Sequence, residues 1–196
     1  MRTNDPNLPH LRQVAEALGD LREQVVFIGG AVAGLLVTDP LADSVRATRD
    51  VDAVVSANRA LLHRIEALVA TRGFARDVSS DVICRWVHKA SGVLFDLMPV
   101  QPDVLGFSNR WYPYAVETAV PVDLGNGVTI RLVSAVAFVA TKLEAFAGRG
   151  GGALCLRASG RRHRRHDGRT SDVRPAASRC FGKNPHGRCP MVRGSG

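Results

Sequence analysis

Val25-Val26-Phe27-Ile28-Gly29-Gly30, followed after nineteen intervening residues by Asp50-Val51-Asp52, is the stretch on which the fold turns. Four consecutive apolar residues ending in two glycines read as a buried strand that breaks into a turn and then a helix. Asp50 and Asp52 open a second apolar run through Val55. The two-residue period of a strand sets both carboxylates on one side, with Val51 on the other. A third carboxylate, Asp96, lies inside Val93-Leu94-Phe95-Asp96-Leu97-Met98. Carboxylates within strands are costly to desolvate unless paired, and three like charges drawn together oppose one another's ionisation. A divalent cation relieves both costs, and hard oxygens are the ligands magnesium prefers. The pattern predicts a metal–phosphate site.

The rest of the fold is read outward from these strands. Leu8, Leu11, Val14, Ala15 and Leu18 recur at helical spacing, with Gly19 as the stop. The glycine pair leads into a helix over 31–37, and a polar loop over 38–49 leads into a strand over 51–55. Ser56 or Asn58 caps a helix over 59–71 with Leu61, Leu62, Ile65, Leu68 and Val69 on one face. Strands over 82–88 and 93–99 are joined by the turn Lys89-Ala90-Ser91-Gly92. A loop bearing Trp111, Tyr112 and Tyr114 follows. Strands over 119–124 and 128–132 then flank Gly125-Asn126-Gly127, and Ser134 caps a last helix through Phe146. This order predicts an α+β domain over 1–150, a mixed sheet flanked by helices, and after it a basic, low-order tail over 151–196.

Charge divides the chain at the same place. Residues 1–149 carry fifteen Lys and Arg against sixteen Asp and Glu, whereas 150–196 carry eleven against two, so the net charge of +8 belongs to the tail. A basic whole-chain balance therefore says nothing about nucleic acid binding by the domain. With Phe181 as its sole aromatic, the tail lacks the apolar surface to offset ordering entropy. The start of the chain is polar, no apolar run approaches the roughly 20 residues of a spanning helix, and Cys84 is the domain's single cysteine. A cytoplasmic protein with no membrane partner is the expectation.

A glycine turn between strand and helix lets backbone approach phosphate closely and aims N–H groups at it. Alone, Gly29-Gly30 is a tight turn and Asp50-x-Asp52 a solvated loop. Together with Asp96 they fit two-metal phosphoryl chemistry on a triphosphate. Thr48 and Arg49 stand where they could touch phosphate oxygens; for Arg49 a surface-loop role fits equally. Arg85 either faces the site or is solvated, and the three loop aromatics either stack a base or pack the loop on the core. His63 and His88 are read as a helix-surface and a strand histidine.

At Phe27-Ile-Gly-Gly-Ala31, Arg46-Ala-Thr-Arg-Asp-Val-Asp52, Phe95-Asp-Leu-Met-Pro99 and Ala140-Thr-Lys-Leu-Glu-Ala-Phe146, the chain resembles the nucleotidyltransferase superfamily of DNA polymerase β type. It is similar in particular to bacterial proteins related to abortive-infection nucleotidyltransferase toxins of type IV toxin–antitoxin systems. The resemblance covers about residues 20–150. It implies Mg2+ or Mn2+ on Asp50 and Asp52, Asp96 as third ligand or base, and Lys142 at the nucleotide phosphates, beside the Gly29, Gly30 and Thr48 already read there from the turn and its spacing. It further implies an NTP substrate, a hydroxyl acceptor such as RNA, and an antitoxin protein as partner. The alternative for Lys142 is a solvated lysine beside Glu144. A non-catalytic nucleotide-sensing or partner-binding module with the same fold is the other class of function.

Beyond Gly150 the chain departs from that family, which there has an acidic-apolar helix. Instead it reads Arg157-Ala-Ser-Gly-Arg-Arg-His-Arg-Arg-His166. Written CGG GCA TCT GGA AGA CGT CAC CGC CGT CAT and read one base later, the same letters encode Gly-His-Leu-Glu-Asp-Val-Thr-Ala-Val. A frameshift near Gly150-Gly151-Gly152 is the expectation, leaving the domain incomplete at its C-terminal side and its activity impaired. An arginine-rich nucleic-acid arm at 161–165 and a metal site on the tail cysteines and histidines, which lack finger spacing, are the other readings.

Overall fold

The computed structural model describes residues 5–39 and 41–148. The expected tail, with its frameshift, arginine arm and cysteines, lies outside the described residues.

Helix α1, Leu8–Leu18, buries the five residues of its predicted stripe and stops at Gly19, whose φ of 60° suits glycine. A 3₁₀ turn, Gly19–Glu23, passes the chain into β1, Val25–Ile28, all four residues of which are buried. Helix α2, Ala33–Leu36, is shorter than the predicted 31–37, because 31–32 form a turn after the glycines and Val37 is extended. Strand β2, Asp50–Val55, runs antiparallel to β1.

Helix α3, Arg59–Thr71, is capped by Asn58, whose side-chain oxygen accepts from the Leu61 N–H at 2.9 Å, a contact worth about 1 kcal/mol. Only Leu62, Ile65 and Val69 of its stripe are buried; Leu61 and Leu68 face solvent. A short strand absent from the sequence pattern, β3, Phe74–Arg76, pairs with β4, Arg85–His88, and β4 with β5, Leu94–Pro99, both antiparallel. The aromatic loop contains two short helices instead of irregular chain: α4, Pro102–Leu105, and α5, Tyr112–Glu117. Both carry proline in the first turn, where its missing N–H costs nothing. Strands β6, Val120–Asp123, and β7, Thr129–Leu132, form the predicted hairpin, and α6, Ala135–Gly148, closes the described chain.

The seven strands form one mixed sheet in the order β3-β4-β5-β2-β1-β7-β6, an α+β fold as expected. β5 lies parallel to β2, and β7 parallel to β1. The central strands are the most buried, with Phe27, Val51, Ala53, Val54 and Phe95 fully enclosed. No helix among the described residues is long and apolar enough to cross a membrane.

Candidate active site

The parallel pairing of β2 and β5 sets Asp52 directly beside Asp96, and Asp50 two residues earlier shares their side of the sheet. One oxygen from each of the three carboxylates lies within 4.8 Å of the others. The three predicted acids therefore meet at one point.

Gly29 makes room for them. Its φ is 78°, and a Cβ there would collide with the Asp52 carboxylate. Gly30 has a different neighbour: a Cβ would press on the Thr48 methyl group. The two glycines thus let the β1 turn lie against the acidic strand, which is a steric reason for the pair.

Thr48 is held in place by Asn7, a residue with no local pattern to single it out. Asn7, 1 % exposed, accepts from the Thr48 N–H at 2.8 Å and donates to the Arg46 carbonyl at 3.0 Å. Its own N–H is fixed by Asp5 at 2.9 Å. This clamp ties the Arg46–Thr48 loop to the entry of α1. A lone asparagine before a helix carries no sequence signal for such a task.

Arg85 is the second residue whose role the sequence leaves open, and its side chain is only 17 % exposed. It sits opposite Asp96 in the β4–β5 register. Its Nε donates to Asp96 Oδ1 at 2.8 Å and its Nη2 to Asp96 Oδ2 at 2.7 Å, while Nη2 also reaches Asp50 Oδ2 at 3.0 Å. A planar guanidinium matches a carboxylate in this two-pronged way. The hydrogen bond to Asp96 holds the Arg85 pKa above its ordinary range.

Asp52 has no such partner among the described residues, and its pKa is pushed up to about 7. Desolvation is the main cause, followed by the charges of Asp50 and then Asp96; Lys142 and Arg85 pull the other way. Burial and convergent like charges thus carry its titration into the neutral range, a cost that a bound cation would relieve. With three hard-oxygen donors converging, the residues fit a divalent cation.

The cleft above these acids has a volume of about 430 Å3, and Lys142 from α6 lines it with Gly29, Gly30 and Thr48. Those predicted residues therefore gather around the trio. A second recess of about 500 Å3 shares Gly30, Thr48, Asp50 and Lys142 and adds Arg46 and Arg49, giving it a cationic wall. The ammonium of Lys142 also stands 5.7 Å from the Phe138 ring centre.

The aromatics separate. Tyr112 lines the main cleft, donates to Met98 Sδ at 3.3 Å, and has its pKa pushed up to about 12 by burial. Trp111 and Tyr114 pack edge to face on each other at the surface, their centroids 6.4 Å apart. Asn109 is buried and donates to the Thr141 carbonyl at 3.0 Å, fixing the loop against the α6 turn that carries Lys142. His63 is exposed on α3, and His88 engages Ser91 and Phe74, so both fall outside the cleft. Burial pushes the Cys84 thiol up to about 11, which makes it a poor nucleophile.

No protein-family model matches the chain, and no curated protein matches it. Among solved structures it is similar to a crystal structure of an antigenic nucleotidyltransferase-like protein from Paracoccidioides brasiliensis. Identity is 21 %, with a TM-score of 0.48 over 76 % of this chain and 70 % of that one. At that level the likeness carries no functional weight.

Proposed function

We propose that this chain is a metal-dependent nucleotidyltransferase that moves an NMP from an NTP to a hydroxyl acceptor, with RNA as the acceptor class, and releases pyrophosphate. The observation that carries this reading is the convergence of Asp50, Asp52 and Asp96 beneath a cleft whose rim holds Lys142 and the Gly29–Gly30 turn. Asp50 and Asp52 would hold Mg2+ or Mn2+, which when bound neutralises phosphate charge and polarises the reacting phosphoryl group. Lys142, Arg46 and Arg49 offer cations to the triphosphate. The glycine turn lets phosphate approach the backbone.

The same reading includes a toxin-like role in the cytoplasm, an antitoxin protein partner, and activity impaired by a frameshift after about residue 150. The assay is incorporation of label from each of four α-labelled NTPs into cellular RNA and protein, using this chain and a frame-restored version. Metal-dependent incorporation, stronger with the restored frame, is the expected result. No transfer by either chain with Mg2+ or Mn2+ counts against the reading. Resequencing the locus tests the frameshift separately, and an uninterrupted frame with other codons would sink it.

One observation favours a second reading. Both oxygens of Asp96 accept from Arg85, which leaves that carboxylate occupied instead of poised as a base. A nucleotide-sensing module would bind metal and NTP at this cleft without turnover.

A further inference from the structure

We propose that Arg85 is a built-in cation of this site, holding Asp96 so that the cleft takes one divalent ion, on Asp50 and Asp52, instead of two. This rests on the metal–nucleotide site shared by both functional readings and specifies its stoichiometry.

Arg85 spans the β5 and β2 carboxylates from a neighbouring strand. Its fork satisfies both Asp96 oxygens in the geometry that carboxylates and guanidinium groups prefer. Asp96 is itself buried, 5 % exposed, so its partner cannot be exchanged for water without cost. An ion ligated by all three acids would crowd its charge against a guanidinium that already donates to both Asp96 oxygens. An ion on Asp50 and Asp52 displaces Arg85 only from its single 3.0 Å contact with Asp50 Oδ2 and leaves the two-pronged Arg85–Asp96 pair whole.

Charge counting agrees. Three carboxylates against Arg85 and Lys142 sum to minus one, which a single divalent ion already outweighs. A second ion would add to an excess of positive charge that the nucleotide alone must absorb. Arg85 is therefore a positioning residue: it fixes Asp96 and substitutes a permanent charge for an exchangeable one, and it is not assigned contact with substrate.

The test counts bound Mn2+ by electron paramagnetic resonance in the full chain, with a mixture of four α,β-methylene NTP analogues present. The wild-type chain should bind one Mn2+, and Arg85→Met two, because removal of the guanidinium frees Asp96. Arg85→Gln removes the charge and the two-pronged grip on Asp96 and serves where the methionine variant fails to fold; it should also bind two. Two ions in the wild-type chain, or one in every folded variant, overturns the proposal while leaving the nucleotidyltransferase reading intact. No Mn2+ bound by any of the three chains overturns both.

Discussion

Asp52→Asn should stabilise the metal-free protein, and the gain should grow with pH. Asp52 titrates at about 7 in the fold against an ordinary value of 3.8. Between those values the native state holds a proton that the unfolded chain has released. Native-state proton uptake makes stability fall as pH rises. The side chain costs nothing below the unfolded pKa, and its full penalty is present once pH passes the folded value. At about 1.4 kcal/mol per unit, the shift amounts to about 4 kcal/mol above neutrality, a ceiling because a relaxed site would soften it. Asparagine mimics the protonated acid at every pH and escapes the penalty. Urea unfolding in EDTA should show an advantage of roughly 1–2 kcal/mol near pH 5 that rises to about 4 kcal/mol near pH 8. In a thermal scan the larger figure corresponds to roughly 10 °C for a chain of this size. Saturating Mn2+ should stabilise the wild-type chain and leave the variant unchanged. An Asp52→Asn variant that is less stable than wild type in EDTA, or an advantage flat across pH, would refute the electrostatic reasoning and make Asp52 a structural residue.

Asp50→Asn removes one of the charges that raise Asp52, so the Asp52 carboxyl should titrate lower by carbon-detected NMR while metal-dependent nucleotide binding is lost. Lys142→Met removes a charge that lowers Asp52; the Asp52 pKa should rise, and NTP affinity by calorimetry should fall about tenfold or more, with stability within about 0.5 kcal/mol because the lysine is exposed. Gly29→Ala meets both a positive φ and the Asp52 carboxylate; a loss of at least about 1 kcal/mol is expected from the backbone alone, together with loss of metal binding. Asn7→Ala should free the Arg46–Thr48 loop, cost about 1–3 kcal/mol, and appear as faster amide exchange at Thr48.

The core of the fold is legible where periodicity is long or apolar runs are unbroken. The α1 stripe from Leu8 to Leu18, the four residues of β1 and the Asp50–Val55 strand all stand where their patterns place them. β3 escapes because three residues, Phe74–Arg76, hold too short a pattern to register. α5 is hidden by Pro113, which reads as a loop residue although the first helical turn tolerates it. Leu61 and Leu68 fall on the expected apolar stripe of α3, but the helix buries only one ridge of it.

The acids of the site are legible for a physical reason: a carboxylate in an apolar strand demands an explanation. Arg85 is not, because a charged residue on an edge-side strand is ordinarily solvated, and only the β4–β5 register reveals that it faces Asp96. Asn7 and Asn109 work through backbone contacts with residues 39 and 32 positions away, at Arg46 and Thr141. No local pattern encodes contacts of that span.

If Asp50 and Asp52 hold a metal ion that presents an NTP to Lys142 and the Gly29–Gly30 turn, anomalous diffraction from crystals grown with Mn2+ and an α,β-methylene NTP tests it most directly. The expected result is a manganese peak bonded to oxygens of Asp50 and Asp52, with the triphosphate running toward Lys142. Nucleotide bound elsewhere, or no anomalous peak at these two carboxylates, would contradict it.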